Sequence, residues 1–134
     1  MRAIHGNERG IAVVECAVIL PVFLLLVMGA VDFGRAFWTK NTLANVAREA
    51  TRYASVRSLR SQDPATLTKI EGVVFGQAGP LDPDKLEVTA SWTPTNNPGS
   101  MVRIDVTYPF QPVLPLLFIE SIQMTSSSQM IVSY

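Results

Sequence analysis

The sequence holds a single cysteine, Cys16, and a single histidine, His5. One cysteine excludes an intramolecular disulfide, and one histidine leaves too few ligands for a Cys/His metal centre. No phosphate-cradling glycine loop and no zinc-binding histidine pair occurs. The serine run Ser126–Ser128 has no neighbouring base to activate it. Asp82 and Asp84, in "GPLDPDKLE", lack the glycine and terminal ligand of a calcium loop and read as solvated turn acids. The expectation is a protein that is not an enzyme, with no cofactor and no metal. Charge is scarce as well, at 16% of residues and zero net, so nucleic acid is not an expected partner.

That zero hides an asymmetry. Residues 32–60 carry six basic side chains (Arg35, Lys40, Arg48, Arg52, Arg57, Arg60) against Asp32 and Glu49, a net of +4. Residues 61–134 carry three basic against seven acidic, a net of −4. Two arrangements satisfy this pattern: a basic middle facing an acidic end, within a chain or between copies, or two separately solvated surfaces.

What is abundant is one apolar run. Ile11–Val31 is 21 residues long with Glu15 as its only charge. At about 1.5 Å per residue it spans roughly 30 Å, the thickness of a bilayer's hydrocarbon layer. The run exceeds the core of an ordinary signal peptide, about 7–15 residues, and Met28-Gly29-Ala30 is a poor cleavage site for signal peptidase. Cys16 is not placed for lipoprotein processing, because Glu15 precedes it and most of the apolar run follows it; it reads as a small apolar residue of the helix. Pro21 removes the hydrogen bond to the carbonyl of Ala17 and is expected to kink the helix, which membrane helices tolerate. Basic residues flank both ends of the run, so charge counting does not orient it.

Helical periodicity continues past the span. Phe33, Ala36, Phe37, Leu43, Ala44, Ala47, Ala50 and Ala54 recur at three- and four-residue spacing, with Lys40, Asn41, Asn45, Arg48 and Arg52 on the other side. Ala44, Ala47, Ala50 and Ala54 form a small-residue stripe that lets another element approach closely, either a second helix or the chain's own sheet. The helix is expected to start at Ile11 and end around Arg57–Ser61, near 70 Å of continuous helix. Asp63 and Pro64 read as the cap and first turn of a short helix through Leu67, Ile70, Val73 and Val74 that stops near Gly76–Gly79. The period then changes to two. Leu86, Val88, Ala90 and Trp92 mark one strand, and Val102, Ile104, Val106 and Tyr108 a second, joined by the turn-rich "TPTNNPGS". "IQMTSSSQMIVSY" is the third strand. The connector "PFQPVLPLLF" carries three prolines and is not expected in a central strand; its Leu116, Leu117 and Phe118 read as core or as an apolar surface near the membrane. The fold class is α+β: a leader (1–10), a spanning segment (11–31), a helical continuation (32–60), and a small head (61–134) whose sheet covers the outer half of the helix.

The start of the helix carries a more specific pattern. Arg9-Gly10 ends a short leader, the apolar helix begins at Ile11, and Glu15 stands fifth after the glycine. This resembles the processing site of type IV prepilins, which a membrane peptidase cuts after the glycine. Within that class the chain is similar to the TadE-like family of tight-adherence pilus assembly proteins, on "RGIAVVECAVILPVFLLLVMGAVDFGRAF" (Arg9–Phe37), "AREATRYA" (Ala47–Ala54) and "VTYPF" (Val106–Phe110). Such proteins usually carry an aromatic residue directly after the acid, where this chain has Cys16. The resemblance implies a pilin-like fold and cleavage between Gly10 and Ile11 by prepilin peptidase. It also implies a cytoplasmic N-terminus and a periplasmic head on the bacterial inner membrane. The implied role is a minor pilin or pseudopilin of a Flp-type pilus, in pilus biogenesis and surface adhesion. Its implied partners are other pilin subunits, the peptidase, and the assembly platform with its ATPase.

Cutting after Gly10 would place an ammonium on Ile11 close in depth to Glu15. An ionised carboxylate in the hydrocarbon is costly, by a few kcal/mol at the bilayer centre and less toward the edge, and pairing with a neighbouring subunit's ammonium offsets much of that. Snorkelling to the headgroups, about one turn away, is the other way to accommodate the charge. Two rival readings share most of these features: an uncut, membrane-anchored periplasmic adaptor, and a head released by signal peptidase with a new N-terminus near Val31.

Overall fold

The computed structural model describes residues 8–114 and 120–133. His5 and most of the leader, together with Leu116, Leu117 and Phe118, lie outside the described residues. The chain forms α1 (Glu8–Ser55), α2 (Leu67–Gln77), and three strands, β1 (Glu87–Thr93), β2 (Met101–Phe110) and β3 (Ile122–Ile131). The sheet is antiparallel in the order β1-β2-β3 and packs on α1, giving an α+β, pilin-like layout.

α1 is 48 residues long, roughly 70 Å, with Pro21 inside it. It begins at Glu8, three residues before the expected Ile11. Extending an already nucleated helix by a few residues costs little. It stops at Ser55, short of the expected Arg57–Ser61. The physical reason is tertiary. The Ser55 carbonyl accepts the Ser133 N–H at 2.8 Å, and the next residues turn away, with the Leu59 N–H on the Asn96 carbonyl at 2.9 Å.

The start of α2 also departs from expectation. Its cap is Thr66, not Asp63, and Pro64 precedes the helix. The Ala65 N–H donates to the Arg57 carbonyl at 3.1 Å, which ties this stretch to the end of α1. Asp63 instead pairs with Lys69 and, at 3.7 Å, with Arg57. α2 ends after Gln77, beside Gly79 at φ +61°, as its glycines imply. Asp82 accepts the Asp84 N–H at 3.2 Å, capping a single 3-10 turn at Pro83–Lys85.

The core lies where the outer half of α1 meets the sheet and α2. Leu43, Val46, Ala47, Ala50 and Ala54 of α1 join Ile70 and Val74 of α2 and Val102, Ile104 and Val106 of β2, all buried. The register Val102↔Trp92, Ile104↔Ala90 and Val106↔Val88 puts the expected apolar set on one face. Polar groups caught in the core are partnered where α1 needs it: the buried Thr51 hydroxyl donates to the Ala47 carbonyl at 2.7 Å.

Pro109 corrects one expectation, because it and Phe110 belong to β2, the middle strand. β1 pairs only as far as Thr107, so the stretch Tyr108–Phe110 has β3 as its single neighbour. A proline is tolerated where one side of the ladder is empty. Within one chain, among the described residues, the basic middle and the acidic end meet at a single ion pair, Arg57–Asp63; the others are local to one region.

The β1–β2 loop needs its one glycine. Gly99 sits at φ +88°, and its N–H donates to the Val132 carbonyl at 2.8 Å. Open space surrounds the position a Cβ would take, so Gly99→Ala should cost backbone strain alone, about 1 kcal/mol. A thermal melt of the variant against the parent chain checks this as a downward shift of a few degrees.

Candidate functional site

The first turns of α1 stand clear of the head. Every residue from Gly10 to Met28 is exposed, including Ile11 at 60%, Val14 at 64% and Glu15. Ile11 and Glu15 are four residues apart in one helix, so they share a face one turn apart. Gly10, Ile11, Val14 and Glu15 line one shallow recess on that surface. Glu15 is the one ionisable side chain between Gly10 and Val31 other than the thiol of Cys16, which is exposed. The helix is long and apolar enough to cross a membrane, and its most apolar stretch is wholly uncovered. Without another molecule around it, this surface leaves more than a dozen large apolar side chains in water, which soluble monomers avoid.

The alanine stripe lies elsewhere. Ala47, Ala50 and Ala54 are fully buried against the chain's own sheet and α2, and Ala44 is half-buried at the edge of that contact. Glu15 and Ala44 are separated by roughly 44 Å along the axis. The structure therefore does not bring the N-terminal group and the stripe together.

Asp32 is the residue that sequence reading passed over. It stands one position beyond the apolar run, is buried, and accepts the Val113 and Leu114 N–H groups at 2.9 and 2.8 Å. Arg35 donates to the same carboxylate at 3.0 Å and lays its guanidinium over the Phe110 ring, 5.4 Å from the centroid. An acid three residues before an arginine on a helix is a visible signal; backbone donors 81 and 82 positions away are not. The Leu114 and Val113 N–H groups hold the Asp32 carboxyl below its ordinary value of 3.8, against burial that raises it, and Arg35 lowers it further. A depressed carboxylate stabilises the fold above its unfolded pKa and stops doing so as pH falls through the folded value. Asp32→Asn should therefore be less stable than the parent near neutrality, with the difference shrinking as pH drops below about 4. Urea midpoints of the two chains across pH 2–7 measure that difference; Asp63, Asp105 and Glu49, also depressed, are common to both and cancel.

Beside Arg35 a cleft of about 260 Å³ opens between Trp38, Tyr108 and Gln111. No acid, histidine or cysteine lines it. Among the described residues no three His, Cys, Asp or Glu side chains gather where a metal ion would sit.

No curated protein and no solved structure shows significant similarity to the chain. A family model does match, over residues 10–52, described as TadE-like protein. It covers the Gly10–Glu15 pattern, the spanning segment and nearly all of the alanine stripe, and it stops before the head, so the Val106–Phe110 strand end lies outside it. The matched residues lie within α1 and take in its whole exposed N-terminal half, so residues 10–52 of the chain are similar to the TadE-like protein family.

Proposed function

We propose that the chain is a minor pilin or pseudopilin of a tight-adherence pilus, a structural subunit without catalytic activity. Its helix crosses the inner membrane once, with the leader in the cytoplasm and the head in the periplasm. Prepilin peptidase cuts between Gly10 and Ile11, leaving Ile11 as the first residue of the subunit. The observation that carries this reading is the uncovered first turn of α1, where Gly10, Ile11 and the isolated acid Glu15 lie together on an apolar helix.

After the cut, Ile11 bears an ammonium one turn from its own Glu15, and a neighbour offset along the axis by about 6 Å brings its Glu15 level with that amine. A charge pair about 4 Å apart contributes about 4 kcal/mol at an effective dielectric of about 20, before desolvation. That offsets the cost of holding Glu15 in the membrane and favours one axial offset between subunits. An uncut chain lacks the amine and enters no filament. Motion of subunits out of the membrane is driven by the platform ATPase.

The test is the N-terminal residue of the protein from its native membrane, by intact mass and terminal sequencing. Ile11, with or without N-methylation, supports processing as a prepilin. Met1, in cells with an active prepilin peptidase, replaces this reading with an uncut periplasmic adaptor.

A further inference from the structure

We propose that the head rests on the bilayer, with lipid as the partner of a second contact made by Val113 of the β2–β3 connector and by Phe33, Phe37 and Trp38 of α1. This rests on the reading that Ile11–Val31 spans the membrane.

The argument is one of height. α1 runs unbroken from the span into the head, so each residue past Val31 rises by about 1.5 Å. The headgroup layer adds roughly 5–7 Å beyond the hydrocarbon on each side. Asp32 then stands at the hydrocarbon boundary, Phe33 to Arg35 lie within the headgroups, Phe37 lies near their outer limit and the Trp38 backbone about 2 Å beyond it. The connector is tied to the same level, because the Val113 and Leu114 N–H groups are bonded to Asp32. At that level the surface is apolar and uncovered: Phe33 is 74% exposed, Phe37 62%, Val113 55% and Trp38 45%. Phe33 and Phe37 stack with ring centroids 6.4 Å apart, and Arg35 lies between them in sequence. Aromatic rings with a nearby guanidinium are what the membrane interface favours.

Lipid fits better than another helix. Successive residues of an α-helix point about 100° apart, so Phe33 and the connector held by Asp32 lie on different sides of α1. One partner helix reaches one side, whereas a bilayer surface reaches both at a single height. The patch also continues the bare surface of the span past Asp32, which is buried and turned to the connector, with the half-exposed Arg35 as the charged side chain within it.

Single-cysteine probes in the full chain test this, in a Cys16→Ser background reconstituted into vesicles of phosphatidylcholine and phosphatidylglycerol. A fluorophore at Val113→Cys is compared with one at Val22→Cys in the span and one at Ser91→Cys on the exposed sheet face. The Val113 probe should be quenched by a spin label on the lipid headgroup, and several-fold less by aqueous iodide than the Ser91 probe. Adding Asp32→Ala should free the connector and restore iodide access. A Val113 probe that behaves like the Ser91 probe overturns the proposal, as does one shielded from iodide and from lipid quenchers alike, which means protein covers it. In both cases quenching of the Val22 probe by lipid leaves the span intact. If the Val22 probe also fails to sense lipid, the spanning reading falls and the proposal falls with it.

Discussion

Glu15→Ala should be cut after Gly10 as the parent chain is, yet be absent from assembled pili. The peptidase's requirement is for the glycine, and Glu15 lies one turn further along the helix, so mature mass and membrane level should match the parent. Incorporation is where the loss appears. If desolvation cancels half of a 4 kcal/mol pairing, about 2 kcal/mol remains, roughly thirtyfold for each subunit contact. The readout is the ratio of this protein in sheared pili to that in membranes, by quantitative immunoblot. Glu15→Asp, which keeps the charge on a shorter arm, should recover part of the ratio, and Glu15→Gln little. Normal incorporation of Glu15→Ala would show that the carboxylate only snorkels.

Ile104→Ala should be the most damaging conservative change in the head. Ile104 is fully buried at the middle of β2, paired with Ala90 on one side and Ser128 on the other. The core around it contains Ala47, Ala50 and Ala54, whose side chains cannot extend into a void. Large-to-small changes at such sites cost about 2–5 kcal/mol, against a total of about 5–15 kcal/mol for a domain. The expected signature is a fall of roughly 10 °C or more in the head's melting temperature in detergent, followed by near-UV dichroism. Val13→Ala, at a position 69% exposed on the span, should leave that transition in place. Because the altered side chain is in the head, processing at Gly10 should persist in Ile104→Ala. A melting temperature within a degree or two of the parent would mean that the outer half of α1 and the sheet do not unfold as one unit.

The strands show how a local rule can be right and still incomplete. Alternation along Leu86–Trp92 and Val102–Tyr108 places the inward face correctly, because the side-chain period of a strand is two whatever lies opposite. It says nothing about Pro109. That residue is tolerated in the middle strand because β1 is too short to reach it, a fact of register between partners up to twenty residues apart. Asp63 shows the same limit: its sequence context is that of a helix cap, but Lys69 and Arg57 take its carboxylate and α2 starts at Leu67.

By itself the sequence determined what depends on near neighbours: a helix apolar enough to span a membrane, the Gly10–Ile11–Glu15 pattern at its start, and the change of period that marks the sheet. Hydrophobic periodicity and residue spacing carry these over a few turns of chain. Tertiary structure alone decided what covers the alanine stripe, where α1 stops, and that Asp32 holds the β2–β3 connector at the foot of the head. Each depends on groups brought together from distant parts of the chain, and two of them on backbone N–H groups about eighty residues away. Backbone N–H and C=O groups are the same in every residue, so their pairing leaves no mark in the order of side chains.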